Sequence, residues 1–219
     1  MEQIAADVYL LDGSPRHAIN VYLVGDVLVD AGARMDKKRI LRQLRGHTVT
    51  AHALTHVHPD HQGASHAVCE ALGIPLWCPE AGVAAMERGD VADQSPDTWI
   101  ATLSRRLFAG PGHPVSRALR DGDEVAGFRV IDTPGHAPSH IAFWRESDRL
   151  LIVGDVLTHA NELGRVRLSE PRPSYTVDPA LNRESARKLA RLNPEIICFG
   201  HGPVLRNGRQ FQEFIAQLP

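Results

Sequence analysis

Residues 54–63 read Leu54-Thr55-His56-Val57-His58-Pro59-Asp60-His61-Gln62-Gly63, placing three imidazoles and a carboxylate within six positions. Neutral imidazole and carboxylate are the donors that suit divalent zinc, iron or manganese. In a chain of this composition such a grouping arises by chance roughly once in several hundred sequences. A strand running into a loop and then a helix can aim all four side chains at one point, and so tight a segment suits two metal ions better than one. Three more candidate ligands follow apolar strands: His136 closes Thr133-Pro134-Gly135-His136, Asp155 follows Gly154, and His201 follows Gly200. Strand ends beside glycine are where a rigid scaffold meets a close-approach loop, and where sites are usually built. Each of the three alone reads as a capping or hydrogen-bonding residue. Beside the four-residue cluster they read as ligands.

The elements that must position these groups repeat one plan. Residues 20–24 and 27–29 flank Gly25-Asp26, a two-residue hairpin signal, and the second strand runs into Asp30-Ala31-Gly32. Residues 141–144 and 150–153 flank a short polar turn, and that run ends in Gly154-Asp155. Each pair delivers a carboxylate at a strand tip. Residues 37–45 put Ile40, Leu41 and Leu44 on one helical face with Asp36 as N-cap, and residues 64–72 are patterned alike. Asp178-Pro179 opens a helix to about Leu192, and an apolar strand over 195–199 follows. Strands with flanking helices imply an α/β sandwich, and no linker divides residues 1–219, which read as one domain. The stretches 89–114 and 158–177 lack periodicity and read either as lids and substrate loops or as plain surface connections.

Composition narrows the function classes. The 219 residues carry 24 Lys and Arg against 26 Asp and Glu, a formal charge of −2, so no bulk positive field gathers nucleic acid or anionic lipid. Hydrophobic residues at 43% and charged residues at 23% are those of a soluble globular protein. No apolar run approaches the roughly 18 residues of a membrane span, and residues 1–7 lack the pattern of a secretory leader, so a cytoplasmic location is expected. Cys69, Cys78 and Cys198 lie outside any Cys-x-x-Cys pattern and read as buried core thiols, with a metal-site role open to Cys198.

The ordered set His56-x-His58-x-Asp60-His61, Thr133-Pro134-Gly135-His136, Gly154-Asp155 and Gly200-His201-Gly202 resembles the motifs of the metallo-β-lactamase-fold hydrolases, in the branch of glyoxalase II and the lactonases. The resemblance implies an αβ/βα four-layer sandwich with metals at one edge between the sheets. It implies that His56, His58 and His136 hold one ion, that Asp60, His61 and His201 hold a second, and that Asp155 bridges them. Two cations roughly 3.5–4 Å apart can share a water and hold it as hydroxide, the implied nucleophile. Zinc is the first expectation for both ions, with iron or manganese as substitutes. Asp60 would also serve the leaving group as a proton donor. Asp30 reads as a group orienting a ligand imidazole or as a turn-stabilising aspartate, and His140 as a supporting residue rather than a ligand. His17, His47, His52, His66, His113 and His159 read as ordinary surface or core residues.

Departures within the family narrow the substrate. β-Lactam hydrolysis is disfavoured because no leader or second-metal thiol is seen, and glutathione thioesters because the chain ends soon after His201. Flavodiiron relatives replace ligands with Glu, and ribonuclease relatives add an RNA-gripping extension; neither feature stands here. Lactonases of similar size place a tyrosine near the substrate carbonyl. Tyr175, in Pro173-Ser174-Tyr175-Thr176, reads as that donor or as a packing residue. Arg165, Arg167 and Arg172 could attract a carboxylate or form a solvated face. The expectation is a dinuclear metal hydrolase of a small-molecule ester, lactone or thioester, with thioesterase or lactonase activity and a homodimer left open. A mononuclear iron oxygenase like the persulfide dioxygenases is the alternative, followed by a phosphodiesterase or nuclease of the same fold, and a noncatalytic metal-stabilised binding module comes last.

Overall fold

The computed structural model describes residues 1–160 and 165–219, and short apolar strands separated by tight turns build them into two sheets. The first contains β1 (Glu2–Ala5), β2 (Val8–Leu10), β3 (Tyr22–Val24), β4 (Val27–Val29), β5 (Ala51–Ala53), β6 (Leu76–Pro79) and β7 (Val115–Leu119), side by side in chain order. β1 to β4 pair antiparallel, and β4 to β7 pair parallel through helical crossovers. The second sheet contains β8 (Glu124–Val125), β9 (Phe128–Asp132), β10 (Ile141–Arg145), β11 (Leu150–Gly154) and β12 (Ile196–Phe199), with only β11 and β12 parallel.

Seven α-helices stand among the described residues: α1 (Lys37–Gln43), α2 (Pro59–Gln62), α3 (Ser65–Leu72), α4 (Val83–Arg88), α5 (Trp99–Phe108), α6 (Pro179–Ala190) and α7 (Gly208–Ala216). Strand alternation decides the layering. Ile141 and Phe143 of β10 face the first sheet and pack with Val8, Tyr22 and Val29, while Ala142 and Trp144 face α6 and α7. Leu23 and Leu28 on the outer face of the first sheet meet Ile40 of α1 and Val68 of α3. The result is the expected helix–sheet–sheet–helix sandwich. The central strands β3, β4, β5, β10 and β11 are buried on both faces, and each fully buried aliphatic or aromatic side chain contributes about 1.5–3 kcal/mol.

The Gly25-Asp26 hairpin forms, with Val24 opposite Val27, and Asp178 caps α6 by accepting from the Leu181 N–H at 2.9 Å. Asp36 does not cap α1. Residues 34–36 already form a 3₁₀ turn, and the Asp36 carboxylate closes that turn backward by accepting from the Ala33 N–H at 2.9 Å. The stretch 89–114 is not a structureless lid, because it contains α5, capped by Thr98 Oγ1 at 3.1 Å from the Ala101 N–H. Trp99, Leu103 and Leu107 point outward, Trp99 being 75% exposed, so the apolar residues of α5 mark no buried face. In the stretch 158–177, Thr158 pairs with Ser169 and residues 173–175 form a 3₁₀ turn; its residues 161–164 lie outside the described residues. Among the described residues no helix is long and apolar enough to cross a membrane. All three cysteines are free and buried, and Cys198 packs in the core between the sheets.

Phe143 fills space between the sheets with 1% of its surface exposed. Phe143→Ala is expected to cost about 3–5 kcal/mol, read as a lower urea midpoint at unchanged slope. A loss below about 1 kcal/mol would contradict close packing there.

Candidate metal centre

The chain leaves β5 at Ala53 and runs buried through Leu54, Thr55, His56, Val57 and His58 before entering α2. Pro59 occupies the first helical position, where its missing N–H costs nothing, and so fixes where the turn bearing Asp60 and His61 begins. The second sheet contributes from three strand ends: His136 in the loop after β9, Asp155 just past β11, and His201 two residues past β12. The tips of four strands from both sheets therefore meet at one edge of the sandwich. All seven residues named from the sequence converge there.

The contacts divide into overlapping groups. His56, His58 and His136 could hold one ion, Asp60, His61 and His201 another, and Asp155 joins His56 and His61 in a third grouping. His136 Nε2 lies 3.0 Å from His58 Nδ1. Asp155 Oδ2 lies 3.5 Å from His61 Nε2, 3.5 Å from His136 Nε2 and 3.1 Å from His201 Nε2, so one oxygen touches members of both triads. Asp60 Oδ2 stands 3.4 Å from His201 Nε2.

Each imidazole is held by its nitrogen that faces away from the centre. His61 Nδ1–H donates to Asp30 Oδ2 at 2.9 Å. The Thr55 hydroxyl donates to the same Asp30 oxygen at 2.8 Å, leaving Thr55 Oγ1 to accept from His56 Nδ1–H at 3.0 Å. The Thr176 hydroxyl likewise donates to the Arg172 carbonyl at 2.9 Å and accepts from His136 Nδ1–H at 3.2 Å. His58 Nε2–H donates to the Gln94 carbonyl at 2.7 Å, and His201 Nδ1–H to the Ala18 carbonyl. Such partners fix ring orientation and tautomer and turn the other nitrogen to the site.

These residues fit a cation. His56 Nε2, His61 Nε2 and Asp155 Oδ1 are buried at the centre without a hydrogen-bond partner, a costly state for polar atoms unless an ion meets them. The donors are five imidazoles and two carboxylates, a set suited to zinc, iron or manganese. Burial, with the neighbouring imidazoles of His61, His58 and His140, drives His56 well below the usual histidine range. Burial also lowers His58 and, with His58 beside it, His136. His61 and His201 go the other way: burial opposes their charge, but Asp155 and Asp30 push His61 up to about 10, and Asp155 and Asp60 raise His201 well above its ordinary value. Without an ion, those two protons neutralise the carboxylates.

Asp30, at a left-handed φ of 60°, orients His61 and also accepts the Thr55 N–H at 2.8 Å, which settles its two readings in favour of orientation. His140 Nε2 accepts the Asp155 N–H at 2.9 Å and its Nδ1–H donates to Thr133 Oγ1 at 2.7 Å, so neither nitrogen is free to ligate. His159 is a support: its backbone N–H donates to the His201 carbonyl at 2.9 Å and its ring bonds the Pro203 carbonyl. Tyr175 stands half-buried in the wall of a cavity of about 960 Å³ floored by His58, Asp60, His136, Asp155 and His201. Sequence reading missed Thr55, Thr176 and the Gln94 and Ala18 carbonyls. Thr55 adjoins the cluster, whereas nothing in the spacing marks the others.

The model of the metallo-beta-lactamase superfamily matches residues 15–201. "Probable metallo-hydrolase YflN" of Bacillus subtilis (strain 168) is 28% identical over 213 residues, covering 88% of this chain and 80% of that protein. A hydroxyacylglutathione hydrolase of Fuscovulum blasticum is 35% identical over 162 residues, covering 72% of this chain and 50% of that enzyme. Among solved structures, the metallo-beta-lactamase family protein TTHA1429 from Thermus thermophilus aligns with a TM-score of 0.67 at 28% identity, over 98% of this chain and 80% of that one. TTHA1623, solved in a di-iron-bound form, aligns at 0.63 and 29% identity, over 94% and 91%.

Two outcomes follow. A Cβ on Gly200 would overlap Asp155 Oδ1 and crowd His61, so Gly200→Ala is expected to lower metal content while circular dichroism stays native; full metal content would contradict the crowding. Metal uptake by the metal-free chain must expel the protons on His61 and His201, so zinc affinity is expected to rise from about pH 6 to about pH 8.5 with measurable proton release in calorimetry. Affinity independent of pH would refute that protonation pattern.

Proposed function

Since the chain belongs to the metallo-β-lactamase superfamily, we propose that it is a dinuclear metal-dependent hydrolase of a small-molecule ester, lactone or thioester. The observation that carries this reading is Asp155 Oδ2, shared between a three-imidazole group and an Asp-His-His group. His56, His58 and His136 would hold one ion and Asp60, His61 and His201 the other, with Asp155 between them. Divalent ions there supply Lewis acidity and lower the pKa of water toward neutrality. The hydroxyacylglutathione hydrolases among the relatives support an acyl substrate, and the di-iron form of TTHA1623 supports two ions.

The chain's own groups divide the remaining work. Burial works against the Asp60 charge, but His201 and His61 outweigh it and keep the carboxylate ionised. The Asp60 carboxylate, which lines the cavity, is the group we assign to accept a proton from the attacking water and return it to the leaving group. Tyr175 keeps its phenolic proton, because burial and the Asp60 charge both raise its pKa. A neutral phenol in the cavity wall is an O–H donor for the oxygen of a substrate carbonyl as negative charge develops on it. The cavity of about 960 Å³, lined also by Pro15, Gly202 and Pro203, has room for a small acyl compound.

The test is elemental analysis of the purified holoprotein followed by a panel of lactones, thioesters and phosphodiesters. Two ions per chain with turnover of a lactone or thioester is the expected result. One iron per chain with oxygen consumed on a persulfide, or turnover of phosphodiesters alone, would overturn it. Tyr175→Phe is expected to lower kcat on the preferred acyl substrate about 10²-fold with metal content unchanged; an unchanged rate would remove Tyr175 from the reaction.

A further inference from the structure

A second group of metal-ligating side chains stands on the outer layer and shares no residue with the centre. His66 and Glu70 are four residues apart on α3, which puts both on one helical face. His113 reaches them from the segment that connects α5 to β7. His66 Nδ1 and His113 Nδ1 are 3.1 Å apart with their rings edge-on, and Glu70 Oε1 is 4.0 Å from His113 Nδ1. The sequence presents these two histidines as ordinary ones, because they stand 47 positions apart and only the crossover brings them together.

We propose that His66, Glu70 and His113 bind a single divalent transition-metal ion, zinc foremost, which fastens α3 to the segment 109–114. Two imidazole nitrogens on one tetrahedral zinc lie roughly 3.3–3.4 Å apart, given bonds of about 2.0–2.1 Å. The nitrogens observed at 3.1 Å are within a small ring rotation of that spacing. Glu70 is 65% exposed on its side chain, so its carboxylate is free to swing the remaining distance. Two imidazoles and one carboxylate favour zinc, nickel or cobalt over magnesium and calcium, which prefer oxygen alone.

The backbone under His113 is tightly held. The His113 N–H donates to the Met86 carbonyl at 3.1 Å, a Cβ on Gly110 would overlap the Gly63 backbone, and a Cβ on Gly112 would overlap that of Glu87 and Gly89. His113 is therefore presented in one place, and beyond the small ring rotation only Glu70 needs to move. The same segment continues α5, whose Ala101, Ser104 and Phe108 line the cavity above the metal centre. An ion here would fasten the base of that wall.

Metal-free protein loaded with excess zinc, dialysed and assayed by elemental analysis is expected to hold one ion more per chain than the His66→Ala/His113→Ala double variant. Glu70→Gln, a change at an exposed position, is expected to weaken affinity for that additional ion by at least about tenfold in a zinc titration. Retained hydrolysis and a native circular dichroism spectrum in the variants would locate the lost ion outside the cavity floor. Equal zinc content and equal affinity in all three proteins would overturn the site. The ion count stands whatever substrate the centre takes, so it is independent of the hydrolase proposal.

Discussion

An ionised carboxylate in a dry interior requires positive charge beside it, and the placement of Asp155 is the constraint from which the rest of the centre follows. Its side chain is 5% exposed, and one oxygen lies within 3.5 Å of three imidazoles from three different chain segments. Gly200 leaves room for the other oxygen, and the His140 ring holds the backbone that carries it. Burial resists the charge, while His201 and His61 outweigh burial and hold the carboxyl well below its ordinary value. Protons on His61 and His201 supply that charge in the metal-free chain. A divalent ion supplies it without them, so metal binding and proton release are the same event seen from two sides.

The groups behind the imidazoles explain why the sandwich is built as it is. Asp30 sits at the tip of β4 and serves both His61 and, through Thr55, His56. Asn20, two residues before β3, and Tyr22 on β3 donate to the Phe199 carbonyl at 2.8 Å each, tying the strand that leads to His201 across the interface. The same inter-sheet core that stabilises the fold therefore sets the separation of the two ligand groups. A shift between the sheets would pull His56, His58 and His61 away from His136, Asp155 and His201.

Some of this was legible in the chain. The His56-x-His58-x-Asp60-His61 run, the glycines beside His136, Asp155 and His201, and the apolar runs of β10 and β11 flanking a polar turn are local patterns, and each survives folding unchanged. α5 was missed although Trp99, Leu103 and Leu107 recur every four residues as on one helical face; what the sequence does not carry is that this stripe faces outward and that the only fully buried residue of α5 is Ala101. The cap at Asp36 failed for a related reason: a 3₁₀ turn begins before it and claims its carboxylate.

What the amino-acid order determined by itself was the kind of chemistry, since ligand type and strand or helix period are properties of neighbouring residues. Tertiary structure alone decided which nitrogen of His58, His61, His136 and His201 faces the centre, because the acceptors that decide it, at Gln94, Asp30, Thr176 and Ala18, come from segments far along the chain. It alone also brought His113 beside His66. A hydrogen bond depends on a few tenths of an ångström in space, and sequence separation carries no record of that distance.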